Sequence, residues 1–331
     1  LSLCVASAPE EFSDIFIPFP KERRLARIFV LRRLVNRLRP DWIFTVNEGH
    51  LWLPILLKLF CGVKIAVELQ GLGFEEKYGD GKITYINYLY SKYSVWFFLH
   101  FYDLVIAVSH KLVEYYAPMS RKNWVVVSGG VALEALPQAA ARPGDGGTFT
   151  VGYMGNTRGY QGLPFVLEAV ALCKKRGMPV RLNLILSGNI VPTEAKLDEL
   201  GIRDITILHH NVSHEEASRL IMESDVLPIP RPSIAITEFA FPSKLPEYLG
   251  SGIPTIMTEV GPVAELGEEL RACSIIIPAH DIAEQLAKGF EKVRAMESGE
   301  RQAMGQRARA FVAQKFDWHT LGTTMSQAFE S

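Results

Sequence analysis

The sequence predicts an α/β protein built from two units, each a parallel sheet covered by helices. Three observations predict it. Short, almost wholly apolar runs alternate with helical stretches, as in strands buried on both faces. One Ala-, Pro- and Gly-rich stretch (ALPQAAARPGDGGT) interrupts the alternation, which then restarts. A chain of 331 residues also has the length of two domains at roughly 100–200 residues each.

In the first half, Leu1–Ser7 and Ile15–Ile17 read as strands, and Lys21–Arg39 as a helix. Asp41–Val46 is a strand and Leu51–Phe60 a helix, with Pro54 tolerated near its start. Lys64–Leu69 is a strand and Tyr85–Tyr102 a helix. Leu104–Val108 and Trp124–Val127 close the unit as strands. In the second half, Phe149–Met154, Val180–Leu186, Ile205–Leu208, Asp225–Ile229, Pro254–Met257 and Ser274–Ile277 read as strands. Leu163–Arg176, Lys244–Gly250, Asp281–Met296 and Gly299–Phe316 read as helices, and Asp317 is placed to cap a last one. Ser213-His-Glu-Glu216 has the spacing of a capping box, in which serine and glutamate each satisfy an orphan N–H.

Composition excludes several classes. Hydrophobic residues make up 48% and charged ones 21% of the chain, too apolar for a disordered protein. A formal net charge of −1 argues against a general nucleic-acid binder. The four cysteines are scattered, without metal or disulfide spacing, and read as reduced thiols. No apolar run reaches the roughly 18–20 residues that span a bilayer. The opening residues do not have the form of a secretory leader, so a cytoplasmic protein is expected. None of the ten aspartates forms an Asp-x-Asp pair, so no bound metal is expected.

Two segments carry candidate chemistry. The first is Gly152-Tyr-Met-Gly-Asn-Thr-Arg-Gly-Tyr-Gln-Gly162, between a strand and a helix. Glycine backbone there can offer amides to an anion at a helix amino end, and Arg158 can add a charge. From the glycines alone, an ordinary strand–helix turn reads as well. The second runs from Arg231 to Pro254. It brings Glu238, Ser243 and Lys244 into a helix that bears Glu247. A lysine at a helix start opposes the helix dipole, which suggests an anionic partner. Glu247, three residues on, shares roughly the same face. A phosphate at the lysine and a diol at the glutamate would suit a sugar nucleotide, and a surface ion pair is the plainer alternative.

The run Pro242-Ser-Lys-Leu-Pro-Glu-Tyr-Leu-Gly-Ser-Gly-Ile-Pro-Thr-Ile256 resembles the donor motif of family-4 glycosyltransferases of the GT-B fold. Four further segments resemble the same family in order: Tyr102–Ser109, Val125–Val131, Gly152–Gly162 and Phe316-Asp-Trp318. The resemblance implies two Rossmann-like domains whose parallel sheets face a central cleft. They would be an acceptor-side domain over 1–137, a linker over 138–148, a nucleotide-sugar domain over 149–315, and a closing helix over 316–331 returning to the first domain. It implies a retaining transferase that needs no cofactor besides its nucleotide-diphosphate-sugar donor. By the same resemblance Glu247 binds the ribose hydroxyls, Lys244 pairs with the diphosphate, and Glu238 touches the donor sugar. Asn156, Arg158 and Gln161 approach the diphosphate, and Ser243 lies beside it. Glu238 and Lys244 are then the catalytic pair.

The sequence departs from the family's pattern in places. Glu238 and Glu247 stand nine positions apart rather than eight. Asn156 and Gln161 replace an arginine and a lysine, and Gln70 replaces a histidine. Leu1–Ser7 resembles the family's second strand, so the resemblance leads one to expect that the family's first strand, its glycine-rich turn and first helix are absent from this sequence. The acceptor would be a glycan or lipid-linked glycan of a surface polysaccharide. The alternatives are a sugar-nucleotide epimerase or hydrolase, and a two-lobed binding protein.

Lys21–Arg39 holds eight basic residues and one acidic one around an apolar stripe of Ile28, Leu31, Val35 and Leu38. It reads either as a sheet-covering helix or as a peripheral contact with an anionic membrane. Tyr85–Tyr102, dense in Tyr, Trp and Phe, reads either as an aromatic core helix or as an interfacial one.

Overall fold

The computed structural model describes residues 24–47, 51–119, 123–137 and 147–330. The strands expected at Leu1–Ser7 and Ile15–Ile17, the first residues of the Lys21–Arg39 helix and most of the 138–148 linker lie outside the described residues. The chain divides into two compact units. One comprises Leu1–Ser128, Phe239–Phe241 and Thr324–Ser331, and the other Gly129–Glu238 and Pro242–Thr323.

In the first unit, strands β1 (Trp42–Val46), β2 (Lys64–Leu69), β3 (Leu104–Ala107) and β4 (Asn123–Val126) form a parallel sheet in that order. Every residue of β3 is buried, which is why the run LVIA shows no polar alternation. Its helices are α1 (Arg24–Leu38), α2 (Trp52–Cys61), α3 (Gly73–Gly79), α4 (Tyr85–Leu99) and α5 (His110–Tyr116). The stripe on α1 belongs to the core, with Leu31 and Val35 buried, while Arg32, Arg33 and Arg37 are exposed. α2 ends where Gly62 turns left-handed at φ +70°. Asp103 fastens α2 to the sheet: one carboxylate oxygen accepts the Lys58 ammonium at 2.5 Å and the other the Ile65 N–H at 2.9 Å.

The second unit holds β5 (Phe149–Asn156), β6 (Val180–Ser187), β7 (Thr206–His210), β8 (Leu227–Ile229), β9 (Thr255–Thr258) and β10 (Ile275–Ile277). Two parallel ribbons, β5-β6-β7 and β10-β9-β8, meet at a parallel bridge between Val151 and Val226. There Gly152 N–H donates to the Val226 carbonyl and Asp225 N–H to that of Thr150, at 3.0 and 2.8 Å. The order is therefore β7-β6-β5-β8-β9-β10. Counted from β5 this is 3-2-1-4-5-6, the doubly wound arrangement whose direction reverses between β5 and β8.

Helices α6 (Leu163–Lys175), α7 (Val191–Glu199), α8 (His214–Ile221), α9 (Ala235–Phe239), α10 (Lys244–Ser251), α11 (Pro262–Arg271), α12 (Ile282–Ala295), α13 (Ser298–Lys315) and α14 (Trp318–Glu330) follow. Ser213 caps α8 by accepting the Glu216 N–H at 3.2 Å, and a reciprocal capping box forms at Glu297 and Glu300. Asp317 caps α14 through the His319 N–H at 2.9 Å. Its other oxygen accepts Leu133 N–H at 3.2 Å and so ties 129–137 to the second unit. Among the described residues, no helix is long and apolar enough to cross a membrane.

Candidate active site

Ligands of doubly wound sheets sit outside the carboxyl ends of the strands, where the strand order reverses. In the second unit that place lies beyond Asn156 of β5 and Ile229 of β8. It opens into a cavity of about 1450 Å³ lined by residues of this unit alone. Met154, Gly155, Asn156 and Gln161 line it from β5 and the following turn, Ser187 from the end of β6, Ser213 to Arg219 from α8, and Ser243, Lys244 and Glu247 from α10.

Sequence explains how α10 arrives there. Pro242 and Ser243 cannot usefully extend α9, and Ser243 becomes the residue before the new helix. Leu245, Tyr248 and Leu249 are buried, so the opposite side, with Lys244 and Glu247, is turned to the cavity. Tyr248 fixes the helix to β5: its hydroxyl accepts the Met154 N–H at 2.8 Å and donates to the Met154 carbonyl at 3.2 Å. The helix ends at Gly252, left-handed at φ +78°.

The Lys244 ammonium stands 4.1 Å over the centre of the Tyr153 ring, a cation–π contact. The residue as a whole stays partly exposed, and it is the ammonium, turned inward, that lacks water. Burial pushes it down to about 7, the positive Arg231 nearby adds to this, and the Glu247 carboxylate opposes it. Arg231, buried just past β8, is itself pushed down to about 10 by desolvation, against Tyr160, Glu238 and Tyr153. Two basic side chains thus share a poorly hydrated place at the switch point, where the lysine holds its proton only weakly and a multiply charged anion would favour the protonated form.

Glu247 is only 14% exposed. One of its oxygens accepts the hydroxyl of buried Ser218 at 2.8 Å, which orients the carboxylate and leaves the other oxygen for a ligand. The glycines divide their work. A Cβ at Gly162 (φ +77°) would run into the Pro230 carbonyl, and one at Gly152 into Ser224, so both serve packing. A Cβ at Gly155 would lie 2.5 Å from the Lys244 ammonium, so this glycine keeps the lysine's place open.

The structure brings Asn156, Gln161, Ser243, Lys244 and Glu247 to one cavity. Arg158 is exposed and is not among the lining residues; its guanidinium donates to the Tyr160 hydroxyl at 3.3 Å. Glu238 also lies off the lining: its carboxylate accepts the Ser233 hydroxyl at 2.5 Å and the Gly261 N–H at 3.2 Å. Sequence reasoning missed Arg231, Tyr153, Ser218 and Tyr248. The only signal for Arg231 is its place one residue after a proline that ends a strand.

Comparison with known proteins gives this geometry its context. A model described as glycosyl transferases group 1 matches residues 138–311, and one for glycosyltransferase family 4 matches 6–135. No curated protein sequence matches the chain. Among solved structures, sucrose-phosphate synthase from Thermosynechococcus elongatus is similar with a TM-score of 0.74 at 19% identity. The match covers 95% of this chain and 80% of that one. HepE from Anabaena, solved with UDP-glucose, has a TM-score of 0.71 at 15% identity, over 96% and 84%. The α,α-trehalose 6-phosphate synthase from Burkholderia multivorans has 0.67 at 16%, over 95% and 77%. Two family models that together take in both units, and neighbours that share the GT-B fold, lead to one conclusion: the chain belongs to the glycosyl transferases group 1, as a family-4 glycosyltransferase of the GT-B fold.

Proposed function

We propose that the chain moves a sugar from a nucleotide-diphosphate-sugar donor to a glycan or lipid-linked acceptor in surface-polysaccharide synthesis, with retention of anomeric configuration. It does so without a bound metal or a cofactor. The observation that carries this is the pairing, on one face of α10, of an inward-turned Lys244 ammonium and a Ser218-oriented Glu247 carboxylate, at the switch point of a doubly wound sheet.

Lys244 and the amino end of α10 face the donor diphosphate, and as the glycosidic bond breaks they stabilise the charge that grows on the departing nucleotide. Glu247 accepts hydrogen bonds from the ribose diol. Asn156, Gln161 and Ser243 border the diphosphate, with Arg158 beside them. Glu238 contacts the donor sugar once its bonds to Ser233 and Gly261 are exchanged. HepE, solved with UDP-glucose, supports the choice of donor class. The enzyme works in the cytoplasm, where its acceptors bring it to an anionic membrane surface facing Lys21–Arg39.

The test is a thermal-shift panel of nucleotide-diphosphate sugars with and without chelator, followed by product analysis with acceptor glycans. At least one donor raises the melting temperature, and turnover survives EDTA. Turnover of the donor without acceptor would point to an epimerase or hydrolase, and dependence on Mg²⁺ or Mn²⁺ would reject the metal-free mechanism.

A further inference from the structure

Helix α4 is apolar on both sides. Val95 and Leu99 face the core of the first unit, yet Ile86, Tyr90, Tyr93 and Phe97 are 77, 71, 60 and 59% exposed. Their spacing of four, three and four places them in one outward stripe. The stripe continues: the Phe97 ring lies 5.3 Å from that of Phe101, and the Lys58 ammonium donates to the Phe101 carbonyl at 3.0 Å. Lys58 leads along α2 to exposed Leu59 and Phe60. The Arg32 guanidinium of α1 covers the Phe60 ring at 5.3 Å, next to exposed Arg33 and Arg37.

Three helices therefore present one apolar, aromatic surface with a basic border. The sequences of α1, α2 and α4 contain no acidic residue. Among the described residues, Asp103 pairs with Lys58, Glu75 accepts the Tyr88 hydroxyl at 2.8 Å, and Asp80 pairs with Lys82. Adjoining exposed apolar side chains rimmed by charged ones mark an interaction surface. Tyrosine-rich stripes favour the bilayer interface, and clustered cations favour anionic headgroups.

We propose that this face docks on an anionic phospholipid bilayer, with the α4 stripe seated among the upper acyl chains and Arg32, Arg33 and Arg37 held by headgroups. The proposal takes the membrane contact from the functional reading above and assigns it a surface reaching well beyond Lys21–Arg39. Its test uses no turnover, so its failure and that of the sugar-transfer reading are separately visible.

The experiment is co-sedimentation of the full chain with phosphatidylcholine vesicles, with and without phosphatidylglycerol, at low and high salt. Two variants are compared: Tyr90→Ser/Tyr93→Ser/Phe97→Ser, and Arg32→Gln/Arg33→Gln/Arg37→Gln. Circular dichroism and thermal melting show that each is folded. The unmodified chain should bind the anionic vesicles only. The arginine variant should lose at least about tenfold in affinity, chiefly at low salt. The aromatic variant should lose a similar factor at either salt, because apolar insertion is not screened. Equal binding to both vesicle types, or unchanged binding by the folded aromatic variant, would overturn the proposal. So would a concentration-dependent dimer abolished by the aromatic substitutions, since the stripe would then cover a second copy of this chain.

Discussion

Replacing Lys244 by methionine keeps the length of the side chain and removes its charge, which isolates the electrostatic part of donor binding. In the free protein burial moves the ammonium from 10.5 to about 7. At about 1.4 kcal/mol per pH unit, this is a penalty on the charged form of at most roughly 5 kcal/mol. A diphosphate beside the ammonium restores the charged form, so donor binding above pH 7 must take up a proton. The affinity of the unmodified protein should therefore fall as pH rises through and above about 7, by up to roughly tenfold per pH unit. The same linkage acts on folding with the opposite trend: the unfolded lysine holds its proton up to 10.5. The free protein's stability should then rise with pH between about 7 and 10.5, and the methionine variant should lose that slope.

The assay is titration calorimetry with a nucleotide-diphosphate sugar, whose diester diphosphate does not itself titrate in this range. Runs at pH 8 in two buffers of different ionisation enthalpy yield the number of protons taken up. We expect close to one proton for the unmodified chain and none for Lys244→Met, with binding weakened by at least about 1.5–3 kcal/mol. Buffer-independent heats for the unmodified chain, or an equal pH slope in the variant, would refute the assignment of Lys244 to the diphosphate.

Five further substitutions test neighbouring contacts. Glu247→Ala should weaken donor binding by about 1.5–3 kcal/mol at nearly unchanged melting temperature. Ser218→Ala should cost less, about 0.5–1.5 kcal/mol, because it frees rather than removes the carboxylate; equal losses by calorimetry would contradict that order. Tyr248→Phe removes a buried hydroxyl that both accepts from and donates to Met154. It should lower unfolding free energy in urea by about 1–3 kcal/mol and weaken donor binding through the loosened helix. Gly162→Ala forces a left-handed alanine against the Pro230 carbonyl and should cost about 2–4 kcal/mol of stability, whereas alanine at Gly155, also at positive φ (+154°), should strain the end of β5 and displace Lys244, lowering both stability and donor affinity.

Much of the molecule was legible because local chemistry decides it. The run LVIA of β3 is apolar throughout because both faces are covered. Ser213 and Asp317 cap the helices that follow because their short side chains reach the exposed N–H groups two and three positions on. Lys244 and Glu247 could be placed together because three residues of helix set their spacing.

Helices α3, α5, α7, α9 and α11 were not read from the sequence. Their seven, seven, nine, five and ten residues are too few for a reliable period, and α11 is broken within by Gly267 at φ +50°. On α4, aromatic residues on nearly every side hide the period that would tell core from surface. The alternation of strands and helices, the caps and a charged pair at a helix start can be read from residue order alone. That β8 lies against β5 follows from the folded chain. That pairing brings Arg231, about 80 residues further on, to the carboxyl end of β5, where Tyr153 and Lys244 meet. The ammonium's low proton affinity comes from water excluded by groups distant in the chain, and no local pattern encodes it.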